Sequence, residues 1–179
     1  LEKDKQPIIN LTLNNIVNSK VEEIIIVLGK QNKDISEAIS KQFFLKEKQK
    51  IVYNNNYKYG LSSSIISGVK KIEKKDNGIM ICLADMPMIK TSTYNKIIKS
   101  FTMKKRKIIC VPYYKNVRGN PLIFSHHFRE NLLELKGDYG AKDILRKFNS
   151  SVNKINCIDE GILKDIDNLE DYRIYVNKK

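Results

Sequence analysis

Asp85 stands where a short apolar run stops, in the segment Leu83-Ala84-Asp85-Met86-Pro87-Met88-Ile89. The run before it, Ile79 to Ala84, opens after Gly78, and Pro87 cannot continue a helix because it lacks a backbone N–H. It reads as a central strand whose end lifts one acid out of the sheet. In open α/β sheets ligands bind beyond the carboxyl ends of the strands, and an isolated carboxylate there suits a hard cation carrying phosphates. The alternative is an Asp that only shapes the turn ahead of a proline.

Further acids alternate in Asp165-Ile166-Asp167-Asn168-Leu169-Glu170-Asp171. A period of two puts Asp165 and Asp167 on one side of an extended chain, where one of them could complete a cation site with Asp85. Otherwise Asp167 or Asn168 caps the last helix, and Glu170 and Asp171 complement its dipole. The stretch Asn54-Asn55-Asn56-Tyr57-Lys58-Tyr59-Gly60-Leu61-Ser62-Ser63-Ser64-Ile65 links a strand to a helix. It places Gly60, hydroxyls and free N–H groups at a helix N-terminus, which suits an anion or a polar base edge, or serves as an ordinary cap. The spacing fits neither a Walker loop nor a dinucleotide fingerprint. Arg118-Gly119-Asn120-Pro121 sets an arginine, the side chain best shaped to grip phosphate, beside a glycine turn. His126-His127 have no evident acid partner, and no Ser-His-Asp or Cys-His arrangement follows from spacing.

The elements that must position these residues alternate. Helical spacing covers Gln6 to Ser19, with Pro7 at its start, and a β-branched run from Val21 to Leu28 makes a buried strand ending at Gly29. A helix over Asp34–Phe44, a strand over Lys50–Tyr53, a helix over Leu61–Ile72 and the strand Ile79–Ala84 follow. Next come a helix over Thr91–Met103 and a strand over Lys107–Pro112. The second half predicts strands at Pro121–Phe124, Val152–Cys157 and Gly161–Ile166. Its helices are His126–Leu135, Asp138–Phe148 (capped by Asp138 or Tyr139) and Leu169–Val176. Strand and helix in alternation predict one α/β domain over residues 1–179, with a mostly parallel sheet covered on both faces.

Composition narrows the classes. With 179 residues, 41% apolar and 30% charged, the chain has the make-up of a soluble globular domain. It has no apolar run of membrane-spanning length and no secretory leader pattern. Three well-separated cysteines, Cys82, Cys110 and Cys157, fit neither zinc spacing nor a disulfide framework, so reduced core thiols in a cytoplasmic protein are expected. The net charge of +13 raises the question of a polynucleotide partner. The lysines are scattered, however, in Lys46-Glu47-Lys48, Lys70-Lys71, Lys74-Lys75, Lys104-Lys105-Arg106-Lys107 and Lys178-Lys179, and form no stripe. A small anionic ligand such as a nucleotide fits this charge better.

Gly60-Leu61-Ser62-Ser63-Ser64-Ile65, Leu83-Ala84-Asp85-Met86-Pro87, Arg118-Gly119-Asn120-Pro121, Gly137-Asp138-Tyr139-Gly140-Ala141 and Asp165-Ile166-Asp167 occur together in one order and spacing. This set resembles the MobA-like nucleotidyltransferases, and most nearly their molybdenum cofactor cytidylyltransferase branch. The likeness covers nearly the whole chain. It implies a Rossmann-like three-layer α/β/α domain of the nucleotide-diphospho-sugar-transferase type that binds Mg²⁺ (or Mn²⁺) and a nucleoside triphosphate. The implied reaction moves CMP from CTP to a molybdopterin-type phosphate acceptor and releases pyrophosphate, and a molybdoenzyme or its chaperone is the implied downstream partner.

By the match, Asp85 is similar to the family's principal metal ligand and Asp167 to its second carboxylate. Gly60, Ser62 and Ser63 fall in the segment facing base and ribose, and Arg118 and Asn120 fall near the acceptor. Three features depart from the pattern. Asn120 replaces a commoner histidine, and Asn168-Leu169 replaces Thr-Pro. The strand and glycine-rich triphosphate loop that open the family are absent from these residues; either the loop is lost or it precedes Leu1, and the second is the expectation. The alternatives are a transferase for another base or a sugar-phosphate acceptor, and a non-catalytic cofactor-binding or chaperone module.

Overall fold

The computed structural model describes residues 7–29, 33–42, 49–73, 78–103, 107–138 and 140–177. The end of the helix predicted to run to Phe44, three of the lysine clusters and part of a fourth, and the Tyr139 cap lie outside the described residues. Helix α1 (Ile8–Val17) leads to strand β1 (Ile24–Leu28), α2 (Lys33–Gln42), β2 (Gln49–Tyr53), α3 (Leu61–Val69), β3 (Gly78–Ile81), α4 (Thr91–Thr102) and β4 (Ile109–Tyr114). Then come β5 (Val117–Arg118), β6 (Leu122–Ser125), α5 (Arg129–Leu133), α6 (Lys142–Lys147), β7 (Val152–Asn156) and α7 (Leu169–Asn177).

The sheet is mixed, which corrects the expectation of a mostly parallel one. β1 and β2 pair in parallel, as do β4 and β7, whereas β6 runs antiparallel to both β3 and β4 and β5 runs antiparallel to β4. The cause is local. Lys115 and Asn116 both take positive φ, 46° and 67°, and form a two-residue turn that folds the chain straight back on β4. Parallel return needs a long crossover, and none fits between Tyr114 and Val117. β5 and β6 then follow the same edge of β4, with Asn120-Pro121, a cis peptide, between them.

Helices cover both faces. Side chains alternate along β4: Ile109 and Val111 pack with Ile65 and Val69 of α3, Leu132 of α5 and Ile144 of α6, while Cys110 packs with Ile16 of α1 and Tyr94 and Ile97 of α4. β1 and β2 form a sheet of their own, with Leu13 of α1 and Ile39 of α2 against Ile26 and Leu28. The two sheets share their helices: α1 places Leu13 on the first and Ile16 on the second. Cys110 and Cys157 are buried, Cys82 is half-buried, and all three are free thiols. Burial pushes the Cys82 thiol up to about 12, so it stays protonated and is no nucleophile.

Two other expectations change. Gly161–Ile166 is not a strand: residues 160–163 make a 3-10 turn, and 164–167 run extended without sheet pairing. The helix predicted from Asp138 starts only at Lys142, because Gly137 and Gly140 adopt positive φ, 66° and 54°, and turn the chain first.

Asp159 locks that 3-10 turn to the start of α4. It is buried, and its carboxylate accepts from Thr93 Oγ1 (2.6 Å), Lys90 N (2.9 Å) and Gly161 N (3.0 Å), so it caps α4 from a distant part of the chain. Asp159→Ala strands three donors, two of them backbone, and is expected to cost about 2–3 kcal/mol of stability. Urea unfolding checks this, and a loss under about 0.5 kcal/mol would contradict it.

Candidate active site

Asp85 follows β3 by four residues and is held on both sides. Ala84 O accepts from Thr12 Oγ1 of α1 (2.8 Å), Pro87 O accepts from Asn15 Nδ2 (3.0 Å), and Asp85 O accepts from Ile166 N (2.9 Å). Tight packing keeps the 160–167 strap in place. A Cβ on Gly161 would strike the Met88 carbonyl, and one on Gly119 would strike the Ile162 carbonyl, which also accepts from Asn120 N (2.9 Å). Ile166 is buried at the strap while Asp165 and Asp167 point to solvent, the alternation expected of an extended segment. Asn168, not Asp167, caps α7: its Oδ1 accepts from Glu170 N (2.9 Å) and Asp171 N (3.0 Å). Asp167 is therefore left available.

The electrostatics single out Asp85. Its Oδ1 is buried and has no hydrogen-bond partner. Burial raises its pKa above the ordinary 3.8, its own backbone N–H lowers it, and the charges of Asp165 and Asp167 raise it further. A divalent cation between these carboxylates would relieve the burial cost and the repulsion together. Among the described residues no group of three or more His, Cys, Asp or Glu side chains is gathered to hold a metal. Carboxylate oxygens are hard donors, so one or two of them would suit Mg²⁺ or Mn²⁺, whose shell water and phosphate oxygens complete.

The serine turn is built differently from the sequence reading. Gly60 has φ +87°, and a Cβ there would collide with the Asp138 carboxylate. Asp138 Oδ1 accepts from Leu61 N (3.2 Å) and Gly137 O accepts from Ser62 N (3.2 Å), so these first N–H groups of α3 are not free. Asp138 thus caps α3 rather than its own helix. Ser63 Oγ donates to Gly60 O (2.8 Å), and Asn54 Nδ2 donates to Ser63 Oγ (2.8 Å) and Ser64 Oγ (3.0 Å). Ser62 is 1% exposed, and its hydroxyl is buried without a partner. Gly29, which ends β1, packs beneath the Tyr57 ring.

Arg118 lies on exposed β5 directly across from Tyr113, beside a cavity; Asn120 is half-buried at the strap. The structure thus joins Asp85 to Asp165, Asp167 and, through Ile162, Asn120. It joins Gly60, Ser62 and Ser63 to Asp138. Three contributors gave little sign in the sequence. Asn54 reads as one of three asparagines, Asp138 reads as a cap for the wrong helix, and Asp159 carries only an Asp-x-Gly turn signal. His126 has its Nδ1 buried and unpartnered.

Residues 1–153 match the model of the MobA-like NTP transferase domain. The chain belongs to the MobA-like NTP transferase family. No curated protein sequence matches it. Solved structures share the fold of this family member at low identity. Rv0371c of Mycobacterium tuberculosis H37Rv in complex with manganese is 20% identical with TM-score 0.77, over 98% of this chain and 93% of that one. Its homologue from Mycobacterium sp. strain JC1 is 23% identical with TM-score 0.82, over 99% and 85%. The 4-diphosphocytidyl-2C-methyl-D-erythritol synthase of Anaerococcus prevotii DSM 20548 is 16% identical with TM-score 0.77, over 99% and 87%. The chain therefore shares the fold of these solved structures, and this MobA-like chain is a nucleotidyltransferase by family. No helix among its described residues is long and apolar enough to cross a membrane.

Because the folded pKa of Asp85 is raised, the folded chain holds that proton more tightly than the unfolded chain. The ionised carboxylate therefore costs stability in full above the folded pKa, and the cost vanishes as pH falls below 3.8, where both states become protonated. Asp85→Asn is expected to raise the urea midpoint of the metal-free protein at neutral pH, with a gain that shrinks toward acid pH. An unchanged or lower midpoint at neutral pH would contradict the burial described here.

Proposed function

We propose that this chain is a Mg²⁺-dependent cytidylyltransferase that transfers CMP from CTP to a molybdopterin-type acceptor. The observation that carries the reading is Asp85, with one carboxylate oxygen buried and unpartnered and the charges of Asp165 and Asp167 turned on it. Asp85 and Asp167 would hold the cation, which when bound would supply positive charge against the triphosphate. The reaction joins an acceptor phosphate oxygen to the α-phosphorus and breaks the bond from that phosphorus to the bridging oxygen, which leaves with pyrophosphate. No protein nucleophile is needed, and the contribution of the chain is positioning and electrostatics.

The turn at Gly60, Ser62 and Ser63 orients the nucleoside, fixed from behind by Asp138 and Asn54. The buried Ser62 hydroxyl has spare hydrogen-bonding capacity for a polar edge. Arg118 and Asn120 serve the acceptor. A second reading, a phosphorylated polyol or sugar acceptor, is favoured by the likeness to the diphosphocytidyl-methylerythritol synthase. A binding or chaperone module without turnover would retain the Gly60 turn but has no use for the buried carboxylate.

The test is pyrophosphate release from CTP, GTP, ATP and UTP with Mg²⁺, offered molybdenum cofactor or a polyol phosphate. The expected result is release from CTP with molybdenum cofactor, lost by a factor of at least about 10² in Asp85→Asn and less severely in Asp167→Asn. Release with the polyol phosphate alone selects the second reading. Near-wild-type turnover of Asp85→Asn would overturn both.

A further inference from the structure

Among the described residues three aromatic side chains are exposed, Tyr53, Tyr57 and Tyr59, and all three lie in the one stretch that leads from the end of β2 into α3. Leu61, also exposed, follows directly after Gly60. The other large apolar side chains in contact with solvent, Met103, Val117, Ile158, Leu169 and Ile174, stand on other elements and include no ring. Apolar side chains exposed singly are ordinary, whereas rings gathered at one turn call for a ligand.

The backbone beneath these rings is fixed. Asn54 is buried, its N–H donates to Leu28 O (2.8 Å) and its Oδ1 accepts from Asn56 N (2.9 Å). Tyr59 N donates to Asn56 O (2.9 Å) and Gly60 N to Tyr57 O (3.3 Å), which closes a 3-10 turn over Tyr57–Tyr59. Two of the rings have structural surroundings: a Cβ added to Gly29 would lie 3.1 Å from Tyr57 Cβ, and Tyr53 pairs with Leu28 across β1 and β2. Tyr59 differs. It is 74% exposed, it immediately precedes Gly60, and among the described residues no ring or cation packs on it. A tyrosine on fixed backbone has only two side-chain torsions left to settle, so a flat ring can stack on it at little entropic cost. A protein partner fits poorly, because such interfaces use roughly 20–30 residues a side, whereas one base needs one ring. Lys58, the one charged residue between Tyr53 and Ser64, is a cation and suits an anionic ligand.

We propose that Tyr59 is the stacking platform for the base of the bound nucleotide. The inference rests on the nucleoside-orienting role given to the Gly60 turn and adds to it the residue that supplies base affinity. Every base has a π-face, so Tyr59 strengthens binding without choosing among bases, and that choice falls to the polar groups of the turn.

Calorimetric titration of the full chain with CTP, GTP, ATP and UTP in the presence of Mg²⁺ tests it. Tyr59→Ala is expected to weaken every triphosphate that the parent binds at least about fivefold, and Tyr59→Phe to keep the parent's affinity. Pyrrolocytidine and 2-aminopurine riboside triphosphates, whose emission falls on stacking, supply a signature that a merely structural role would not move. The parent and Tyr59→Phe are expected to quench whichever of them binds, and saturated Tyr59→Ala to leave it bright. Ile158→Ala, which removes an exposed apolar side chain elsewhere, is expected to change neither measurement. Equal affinity or equal quenching in the parent and Tyr59→Ala overturns the platform, as does a parent that binds none of the triphosphates. A parent that binds and quenches but releases no pyrophosphate with either acceptor keeps the platform and fails the transfer reading. Pyrophosphate release with the same KM in the parent and Tyr59→Ala fails the platform alone.

Discussion

A carboxylate oxygen buried without a partner is expensive, and at Asp85 it persists because the backbone on either side has no freedom to release it. Thr12 holds Ala84 from α1, and Ile166 holds Asp85 itself from the strap. The strap cannot lift, because Gly161 lies directly on Met88 and Asp159 ties it to the first turn of α4. Two sides of the sheet therefore meet at a single acid. A cation held there would relieve the cost of that buried oxygen.

The Gly60 turn follows a similar principle. A glycine at φ +87° lets the chain enter α3 against the Asp138 carboxylate, and Asn54 then orders the serine hydroxyls. Capping α3 by a residue far along the chain couples the turn after β2 to the turn before α6. The strap and the Gly60 turn are thus each tied to segments distant in sequence, by a buried bond at Asp159 and an exposed one at Asp138. Substitutions in Asp138 or Asp159 would act through these ties and need not touch a ligand.

Much of this was legible in the residues. The alternation of Asp165 and Asp167 and the helix periods before Thr102 read correctly, because each rests on local pattern. The apolar run before Asp85 predicts a central strand to Ala84, whereas β3 ends at Ile81, lies at the end of its sheet's strand order, and leaves Asp85 in a turn. What failed was long-range. Two residues, Lys115 and Asn116, reverse the chain, and a strand reading that began again at Pro121 gave no direction for it. Asp138 reads as the cap of the helix it precedes, since a sequence offers only neighbours as partners, whereas its bond runs to Leu61. Gly161-Ile162-Leu163 is apolar and predicts a strand, whereas residues 160–163 form a 3-10 turn; burial against the sheet explains that composition without strand pairing. The family resemblance supplied the roles, and the geometry supplied the reasons those residues sit where they do.

The most direct measurement is titration of the intact chain with Mn²⁺, followed by electron paramagnetic resonance, with and without CTP. Joint coordination by Asp85 and Asp167 predicts saturable binding of a single ion, tightened by CTP, weakened in Asp167→Asn and lost in Asp85→Asn. Equal Mn²⁺ binding by the parent and Asp85→Asn would contradict the account.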